Sequence, residues 1–179
     1  ITMGLYSITE VQTNVFVGIW KITEPINELI SLYNFSTEDE TTFKSFTSQQ
    51  RKKHWLSYRI LINKILNNNN KVSYNINGKP LLNNNFHISV SHSFDFAVVI
   101  ISKHKKVGID IEVIKDRILN ITEKFISNTE LKNIKNNYFL NEILAIWCAK
   151  EALYKLVDIK GVSFKDDIKI NTIHFDKLR

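Results

Sequence analysis

The sequence predicts a protein that mixes α-helices and β-strands, and three observations support this. Short segments rich in β-branched and aromatic residues, which are typical of strands, recur between Val15 and Val113. Two longer segments, 48–66 and 141–156, place apolar residues three and four positions apart, as amphipathic helices do. The 179 residues, 44% of them hydrophobic, are enough for one domain or for two small halves that share a core.

The composition excludes several classes of protein. No run approaches the roughly 18 apolar residues of a membrane helix, and the N-terminus lacks the pattern of a signal peptide. The single cysteine, Cys148, cannot form an internal disulfide, and no Cys/His spacing is typical of a zinc site. We therefore expect a cytoplasmic protein. The net charge of +6 predicts an anionic partner, which leaves nucleic acid, nucleotide phosphates and an acidic protein open.

Local signals predict the first two elements. Residues 15–22 are rich in β-branched and aromatic side chains, which predicts a strand. Ser36 is followed by the acids 38–40, a typical helix start, and Phe43 and Phe46 would then face the core.

The segment 48–66 has the strongest helical periodicity in the first part of the chain. Its polar side either forms a solvated surface, the more common outcome, or binds phosphate. Arg59 differs from the other basic residues because it falls among the apolar positions. The basic residues of this segment are Arg51, Lys52, Lys53, His54, Arg59 and Lys64.

Weaker signals follow this helix. The run 67–70 predicts an exposed connection, and 72–77 predicts a weak strand. Gly78-Lys79-Pro80 predicts a turn, in which an exposed lysine is the ordinary outcome.

Residues 86–93 alternate between apolar and polar side chains, which predicts a half-buried strand. A second, buried strand is predicted at 96–101, and the basic run 103–106 would form the turn after it. His92 and the neighbouring serines form either an anion-binding cluster or an ordinary structural group. The expected inward residues are Ile88 and Val90, and the expected outward ones are Ser89 and Ser91.

The segment 107–113 predicts a strand with Gly108, Asp110 and Glu112 on one face. The two acidic residues would then have Cα atoms about 7 Å apart, which allows both carboxylates to bind one hard cation. The alternative is a solvent-facing strand whose acids keep it soluble, and for an isolated Asp-x-Glu that alternative is the more common one.

The C-terminal part contains mostly helical signals. A short helix is predicted at 118–125, a capping box at 127–130, a long helix at 141–156 and an alternating strand at 167–171.

The long helix carries Leu144, Cys148, Glu151 and Lys155 along one stripe. Glu151 and Lys155 form either an ordinary exposed ion pair or, if the helix packs on the acidic strand, a third carboxylate and a phosphate-binding lysine.

Three carboxylates, several basic side chains and a Ser/His cluster suit Mg²⁺ bound together with a diphosphate. The chain has no G-x-x-x-x-G-K-[ST] or G-x-G-x-x-G pattern, so P-loop and dinucleotide-binding sites are set aside. The absence of a G-x-S-x-G pattern and of a plausible Cys-His nucleophile argues against acyl transfer.

Five segments, in this order and spacing, resemble the motifs of the 4′-phosphopantetheinyl transferases of the Sfp type. One such motif alone is weak evidence, whereas five in register between about Ser48 and Ile170 are specific. The segments are Gly78-Lys79-Pro80, 88–93 (Ile-Ser-Val-Ser-His-Ser), 108–112 (Gly-Ile-Asp-Ile-Glu), 125–130 (Phe-Ile-Ser-Asn-Thr-Glu) and 147–155 (Trp-Cys-Ala-Lys-Glu-Ala-Leu-Tyr-Lys).

The resemblance implies an α+β fold of two similar α/β halves related by a pseudo-twofold axis, residues 1–104 and 105–179, with coenzyme A bound between them. It implies Mg²⁺-dependent transfer of the 4′-phosphopantetheine group from coenzyme A to a serine of an apo acyl or peptidyl carrier protein, with release of 3′,5′-ADP. The carrier would serve fatty acid, polyketide or peptide synthesis, and the enzyme would be a cytoplasmic monomer.

The resemblance also implies roles for individual residues. Asp110, Glu112 and Glu151 would hold Mg²⁺, and Glu151 would also be the base for the serine hydroxyl. Lys155 would act on the phosphates of coenzyme A. The other matching positions are expected to bind coenzyme A: Arg51, Arg59, Lys79, Ser91 and His92.

The chain departs from the family pattern in two places. Phe94 stands where the family commonly has glycine, and the chain ends soon after the Glu151 helix, so we expect a shortened C-terminal half. Two other functions therefore stay open: a coenzyme A or nucleotide-binding module without catalysis, and a basic nucleic-acid-binding domain.

Overall fold

An antiparallel sheet of four strands lies at the centre of the fold. The computed structural model describes residues 4–68, 70–83, 85–134 and 139–173. The strands are Leu5–Gln12 (β1), Val15–Lys21 (β2), His87–Ser93 (β5) and Phe96–Ser102 (β6), in the spatial order β1-β2-β6-β5. The predicted strands at 15–22, 86–93 and 96–101 are therefore confirmed. The edge strand β1 was not predicted, because most of its side chains are exposed whatever their polarity.

Three helices precede the second pair of strands: Ile26–Ser31 (α1), Thr37–Ser45 (α2) and Gln49–Leu66 (α3). The predicted helix starts are confirmed, since Ser36 forms a capping box with Asp39 and Ser48 accepts a hydrogen bond from the backbone of Arg51. Helix α3 packs on the sheet and shares with it a buried core. That core includes Trp20, Leu29, Trp55, Leu56, Leu61, Val99 and Ile101.

A small hairpin follows α3, formed by Val72–Tyr74 (β3) and Pro80–Leu82 (β4). Gly78 has a φ of +82° in the turn between them, a conformation that glycine adopts without strain. The predicted strand at 72–77 is therefore shorter than expected, and β4 was missed because only three residues pair.

The C-terminal part is helical, as predicted. A 3₁₀ helix, Asp116–Ile121, leads into Thr122–Phe125 (α4), Asn128–Asn133 (α5) and Phe139–Val157 (α6). Ser127 and Glu130 form the predicted capping box at the start of α5. None of the helices in the described ranges, α6 included, is long and apolar enough to cross a membrane.

The described buried residues of the C-terminal part form a second hydrophobic cluster. It contains Ile118, Phe125, Ile126, Ile143, Leu144 and Ile146. The mixed α+β class is confirmed, whereas the pseudo-twofold relation and the boundary between residues 104 and 105 stay predictions.

The strand predicted at 167–171 is wrong. Asp167 accepts a hydrogen bond from the Ser163 backbone, and the backbone of Asp166 donates to the Ser163 hydroxyl, which forms a turn through residue 167. Local bonds of this kind satisfy the backbone without a partner strand.

The strand predicted at 107–113 is also wrong, although every residue of this segment is described. The segment is extended and joins β5 through serine side chains, without a backbone ladder. Its close contact is with α6: a Cβ at Gly108 would lie 1.9 Å from the carbonyl oxygen of Ala152. Gly108 is therefore needed because α6 passes directly over it, and not to leave open backbone beside the carboxylates.

The outward orientation predicted for Ser89 and Ser91 is corrected as well. Both are buried, at 2% and 8% exposure, because the segment 107–113 covers this face of β5. Ile88 is buried on the other face, as predicted.

Phe94 adopts the left-handed conformation that glycine favours, with a φ of +51°. Its carbonyl oxygen accepts hydrogen bonds from Gln50 and His54 of α3. Although Phe94 stands where the family commonly has glycine, β5 and β6 are therefore still joined by a tight turn.

Replacing Gly108 by alanine should destabilise the fold more than replacing Gly18 by alanine. The new methyl group at 108 meets backbone atoms of α6, whereas at Gly18 it meets the side-chain ends of Leu61 and Ile65, which can shift. We expect Gly108→Ala to lie at or above the upper end of the roughly 1–3 kcal/mol that overpacking costs. Urea unfolding of both variants measures this, and an equal or smaller loss for Gly108→Ala would contradict the close approach.

Candidate active site

A cavity of about 690 Å³ opens between α3, β5, residues 108–113 and α6. We call residues 108–113 the acidic segment, because they contain Asp110 and Glu112. Each of these elements contributes a polar side chain that the sequence singled out. The predicted site residues that line the cavity are Arg51, Ser91, His92, Asp110, Glu112, Glu151 and Lys155. Arg59 and Lys79 are not among its lining residues.

Asp110 lies at the centre of the polar contacts in this cavity. Its Oδ1 accepts hydrogen bonds from the Ser91 hydroxyl at 2.7 Å and from Lys155 Nζ at 2.6 Å. Its Oδ2 is buried and has no hydrogen-bond partner in the described part of the chain. A buried carboxylate oxygen without a donor can serve as the ligand of a cation.

Glu112 and Glu151 extend the negative charge of the site. The Ser93 hydroxyl donates to Glu112 Oε2 at 2.8 Å. Burial raises the pKa of Glu151; the carboxylates of Asp110 and Glu112 raise it further, against the opposing effect of Lys155. Burial, with the nearby charge of Asp110, also raises the pKa of the Cys148 thiol to about 12, so this cysteine stays a neutral thiol.

The carboxylates of Asp110 and Glu112 are therefore close enough to act on that of Glu151. Even so, within the described ranges no group of three or more His, Cys, Asp and Glu side chains is arranged to hold a metal ion. The convergence of Asp110, Glu112 and Glu151 on one Mg²⁺ stays a prediction, which the free oxygen of Asp110 and the crowded charges support.

Lys155 is the cation closest to these acids in the described structure. Besides Asp110, its Nζ donates to the carbonyl oxygen of Ile109 at 3.3 Å, and the side chain is 27% exposed. An ammonium group has three donors, so one remains for a ligand in the cavity. Ser91 has only one hydroxyl hydrogen, so donating it to coenzyme A, which Ser91 is predicted to bind, would break the bond to Asp110.

Lys79 reaches the end of α6. Its Nζ donates to the carbonyl oxygens of Lys155 and Leu156 at 2.8 and 3.4 Å, which satisfies two carbonyl groups in the last turn of the helix. It lines a smaller neighbouring cavity of about 220 Å³. Its predicted contact with coenzyme A stays a prediction.

Arg59 lies behind the wall of the main cavity. Its guanidinium is 3% exposed, stacks on the Trp55 ring at 3.9 Å, and donates to the hydroxyls of Tyr58 and Tyr74. It also pairs with Asp39 at 3.6 Å. Because Trp55, Tyr58 and Tyr74 line the cavity, the contacts of Arg59 stabilise an aromatic wall, and its predicted contact with coenzyme A stays a prediction.

His54 is a site residue that the sequence analysis missed, since it was assigned to the exposed basic side of α3. It is 8% exposed, lines the cavity and stacks on His92 with ring centroids 4.2 Å apart. Its Nε2 donates to the carbonyl oxygen of Phe94 at 2.6 Å. The available signal was its position four residues before Tyr58, on the same face of the helix.

The environment of His92 favours the neutral ring. The ring of His92 stacks on that of the buried His54, although His92 as a whole is exposed. Partial burial of the ring, followed by the charge of His54 and then those of Lys155 and Arg51, lowers the pKa of His92 to about 4. At neutral pH the ring can therefore accept or donate a hydrogen bond without carrying charge.

A buried ion pair anchors α6 beside the site. Lys150 is fully buried; its Nζ donates to the Glu130 carboxylate at 2.8 Å and to the carbonyl oxygens of Phe125 and Phe164 at 2.7 Å. Burial alone would raise the pKa of Glu130, but Lys150 and the backbone N–H groups of Ile170 and Ser127 hold it below its ordinary value. This pair joins α4, α5, α6 and the chain beyond α6.

Comparison with known proteins shows what this sequence is similar to. Residues 106–179 match the family model of the 4′-phosphopantetheinyl transferase superfamily. The chain is 30% identical over 154 residues to 4′-phosphopantetheinyl transferase gsp of Aneurinibacillus migulanus, covering 80% of this chain and 62% of that protein. It is 37% identical over 97 residues to 4′-phosphopantetheinyl transferase psf-1 of Bacillus pumilus, covering 49% of this chain and 39% of that protein. The chain thus spans less than two thirds of the length of either relative.

Replacing Lys150 by methionine should destabilise the fold by about 3–5 kcal/mol, because it leaves the Glu130 carboxylate buried without its cation. The double variant Lys150→Met/Glu130→Gln should recover part of this loss. The matched control Lys155→Met removes a partly exposed lysine from the same helix and should cost less. Urea unfolding measures all three, and equal losses for Lys150→Met and Lys155→Met would contradict the anchoring role.

The stability of the protein should fall as the pH falls from 6.5 to about 4, partly because of His92. In this window the unfolded chain binds a proton at His92 that the folded chain does not, so acid favours unfolding. His92→Asn should flatten this part of the stability curve. The control His104→Asn changes a histidine outside the cavity and should leave it unchanged. The free energy of unfolding measured at several pH values in the presence of a chelator tests this, and an unchanged slope for His92→Asn would contradict it.

Proposed function

Because the chain belongs to the 4′-phosphopantetheinyl transferase superfamily, we propose that it transfers the 4′-phosphopantetheine group of coenzyme A to a serine of an apo carrier protein. The observation that carries the proposal is the single cavity in which Asp110, Glu112 and Glu151 meet Lys155, Arg51 and His92. Acids on one side and cations on the other suit a substrate that carries a diphosphate.

The reaction forms a bond between the serine Oγ and the phosphorus next to pantetheine, and it breaks the bond from that phosphorus to the departing oxygen. The bond electrons leave with 3′,5′-ADP, and the serine proton must go to a base. Glu151 suits this role because it lines the cavity and its raised pKa makes the carboxylate a better proton acceptor.

Lys155 would contact the diphosphate through its remaining N–H donor, and Arg51 would add positive charge on the α3 side of the cavity. Mg²⁺, held by Asp110, Glu112 and Glu151, would neutralise negative charge on the phosphates. The partnerless Oδ2 of Asp110 supports such a cation.

The remaining expectations belong to the same proposal. The cavity is lined by α3 and β5 on one side and by the acidic segment and α6 on the other, which supports a coenzyme A site between halves 1–104 and 105–179. We propose that the enzyme is a cytoplasmic monomer. The net charge of +6 would speed its encounter with an acidic acyl or peptidyl carrier protein.

The test is an incubation of the purified chain with coenzyme A, Mg²⁺ and several apo carrier proteins, followed by intact mass measurement of each carrier. We expect a gain of one phosphopantetheine group. Asp110→Asn and Glu151→Gln should each reduce transfer by about 10²-fold or more, because each removes a carboxylate that metal binding or proton transfer requires.

The control variant Glu123→Gln changes an exposed glutamate outside the cavity and should keep full transfer. No mass gain on any carrier would contradict the proposal. Tight binding of coenzyme A without transfer would instead favour the binding module, and steeply salt-dependent binding of DNA or RNA would favour the nucleic-acid-binding domain.

A further inference from the structure

Three serines occupy alternate positions of β5 and therefore share one face of the strand. They are Ser89, Ser91 and Ser93. Each hydroxyl bonds to the acidic segment 108–113, and together these contacts follow the segment along its length. The reaction proposed above uses none of the three as a chemical group.

The contacts advance in step along both segments. Ser89 Oγ accepts a hydrogen bond from the Ile109 backbone N–H at 3.2 Å, and Ser91 Oγ donates to Asp110 at 2.7 Å. Ser93 Oγ donates to Glu112 at 2.8 Å and accepts from the Val113 N–H at 3.3 Å. The acidic segment therefore runs in the same direction as β5, and each serine meets the residue or residues opposite it.

These hydroxyls replace the backbone ladder that would normally join two neighbouring strands. In the described structure the backbone of β5 pairs only with β6. A serine hydroxyl donates one hydrogen bond and accepts others, so Ser93 binds the Glu112 carboxylate and a backbone amide at once. A backbone ladder would fix only the register, whereas the hydroxyls also hold the carboxylates.

We propose that Ser89, Ser91 and Ser93 form a serine ladder that sets the register of the acidic segment, and that Ser93 is a positioning residue for Glu112. The metal-binding consequence rests on the proposed function. A slip of the segment by one residue would turn Asp110 and Glu112 away from the cavity, because successive side chains of an extended chain point to opposite sides. The ladder prevents this slip.

The ladder is tested by amide hydrogen exchange, measured by NMR on the metal-free chain. Ser93→Ala should speed hydrogen exchange of the Val113 amide about tenfold or more. The reason is that this amide loses the Ser93 hydroxyl, to which it donates its protecting hydrogen bond. Ser89→Ala should do the same to the Ile109 amide. Ser93→Thr retains the hydroxyl and should keep slow exchange at Val113.

The matched control is Ser102→Ala, which removes another buried serine of the same sheet whose hydroxyl bonds to the backbone of His104 and Lys105. It should leave the amides of Ile109 and Val113 unchanged. Because Ser93 is only partly buried, its truncation should leave the fold intact, and retained β-sheet signals verify this. Slow exchange of Val113 in Ser93→Ala would overturn the ladder.

The positioning role is tested by titration with Mn²⁺, followed by the electron paramagnetic resonance signal of the free ion. Ser93→Ala should weaken Mn²⁺ binding about tenfold or more, as loss of a group that orients a ligand does. Ser93→Thr should restore the affinity, and Ser102→Ala should match the wild type. Wild-type affinity in Ser93→Ala would overturn the positioning role. A wild-type chain that binds no Mn²⁺ would contradict the metal site of the proposed function, while the exchange measurements still decide the ladder.

Discussion

The site depends on the contact between Gly108 and the carbonyl oxygen of Ala152. A Cβ at residue 108 would lie 1.9 Å from that oxygen, so only glycine lets the acidic segment approach α6 this closely. Asp110 lies two residues after Gly108 in the acidic segment, and Glu151 directly precedes Ala152 in α6. The charged side chains share one cavity because the backbones of the acidic segment and of α6 are in contact at this point.

The charged groups in the cavity and behind its wall differ in how their charges are compensated. Lys155 is bonded directly to Asp110, whereas Arg59 is buried behind the aromatic wall with its own partners. His92 stays uncharged at neutral pH because burial and nearby cations lower its pKa to about 4. Burial is the main cause of the raised pKa of Glu151; Lys155 opposes it, and the carboxylates of Asp110 and Glu112 add to it.

The reliable predictions were those made from local sequence signals. The caps at Ser36 and Ser127 were predicted because a capping bond joins residues three apart. The strands β5 and β6 were predicted from their side-chain patterns. The strand predicted at 107–113 was wrong because a real strand needs a backbone partner, and its pattern cannot reveal that serine hydroxyls take that place.

The sequence by itself determined the helices other than α1, which was not predicted, and also the family motifs and the residue types of the site, because each follows from spacing along one segment. Only the tertiary structure decided which of those residues share a cavity. It brought together Asp110, Glu112, Glu151 and Lys155, added His54, and placed Arg59 and Lys79 elsewhere. Contacts between residues far apart in the chain depend on how closely elements pack, and no local pattern records that distance.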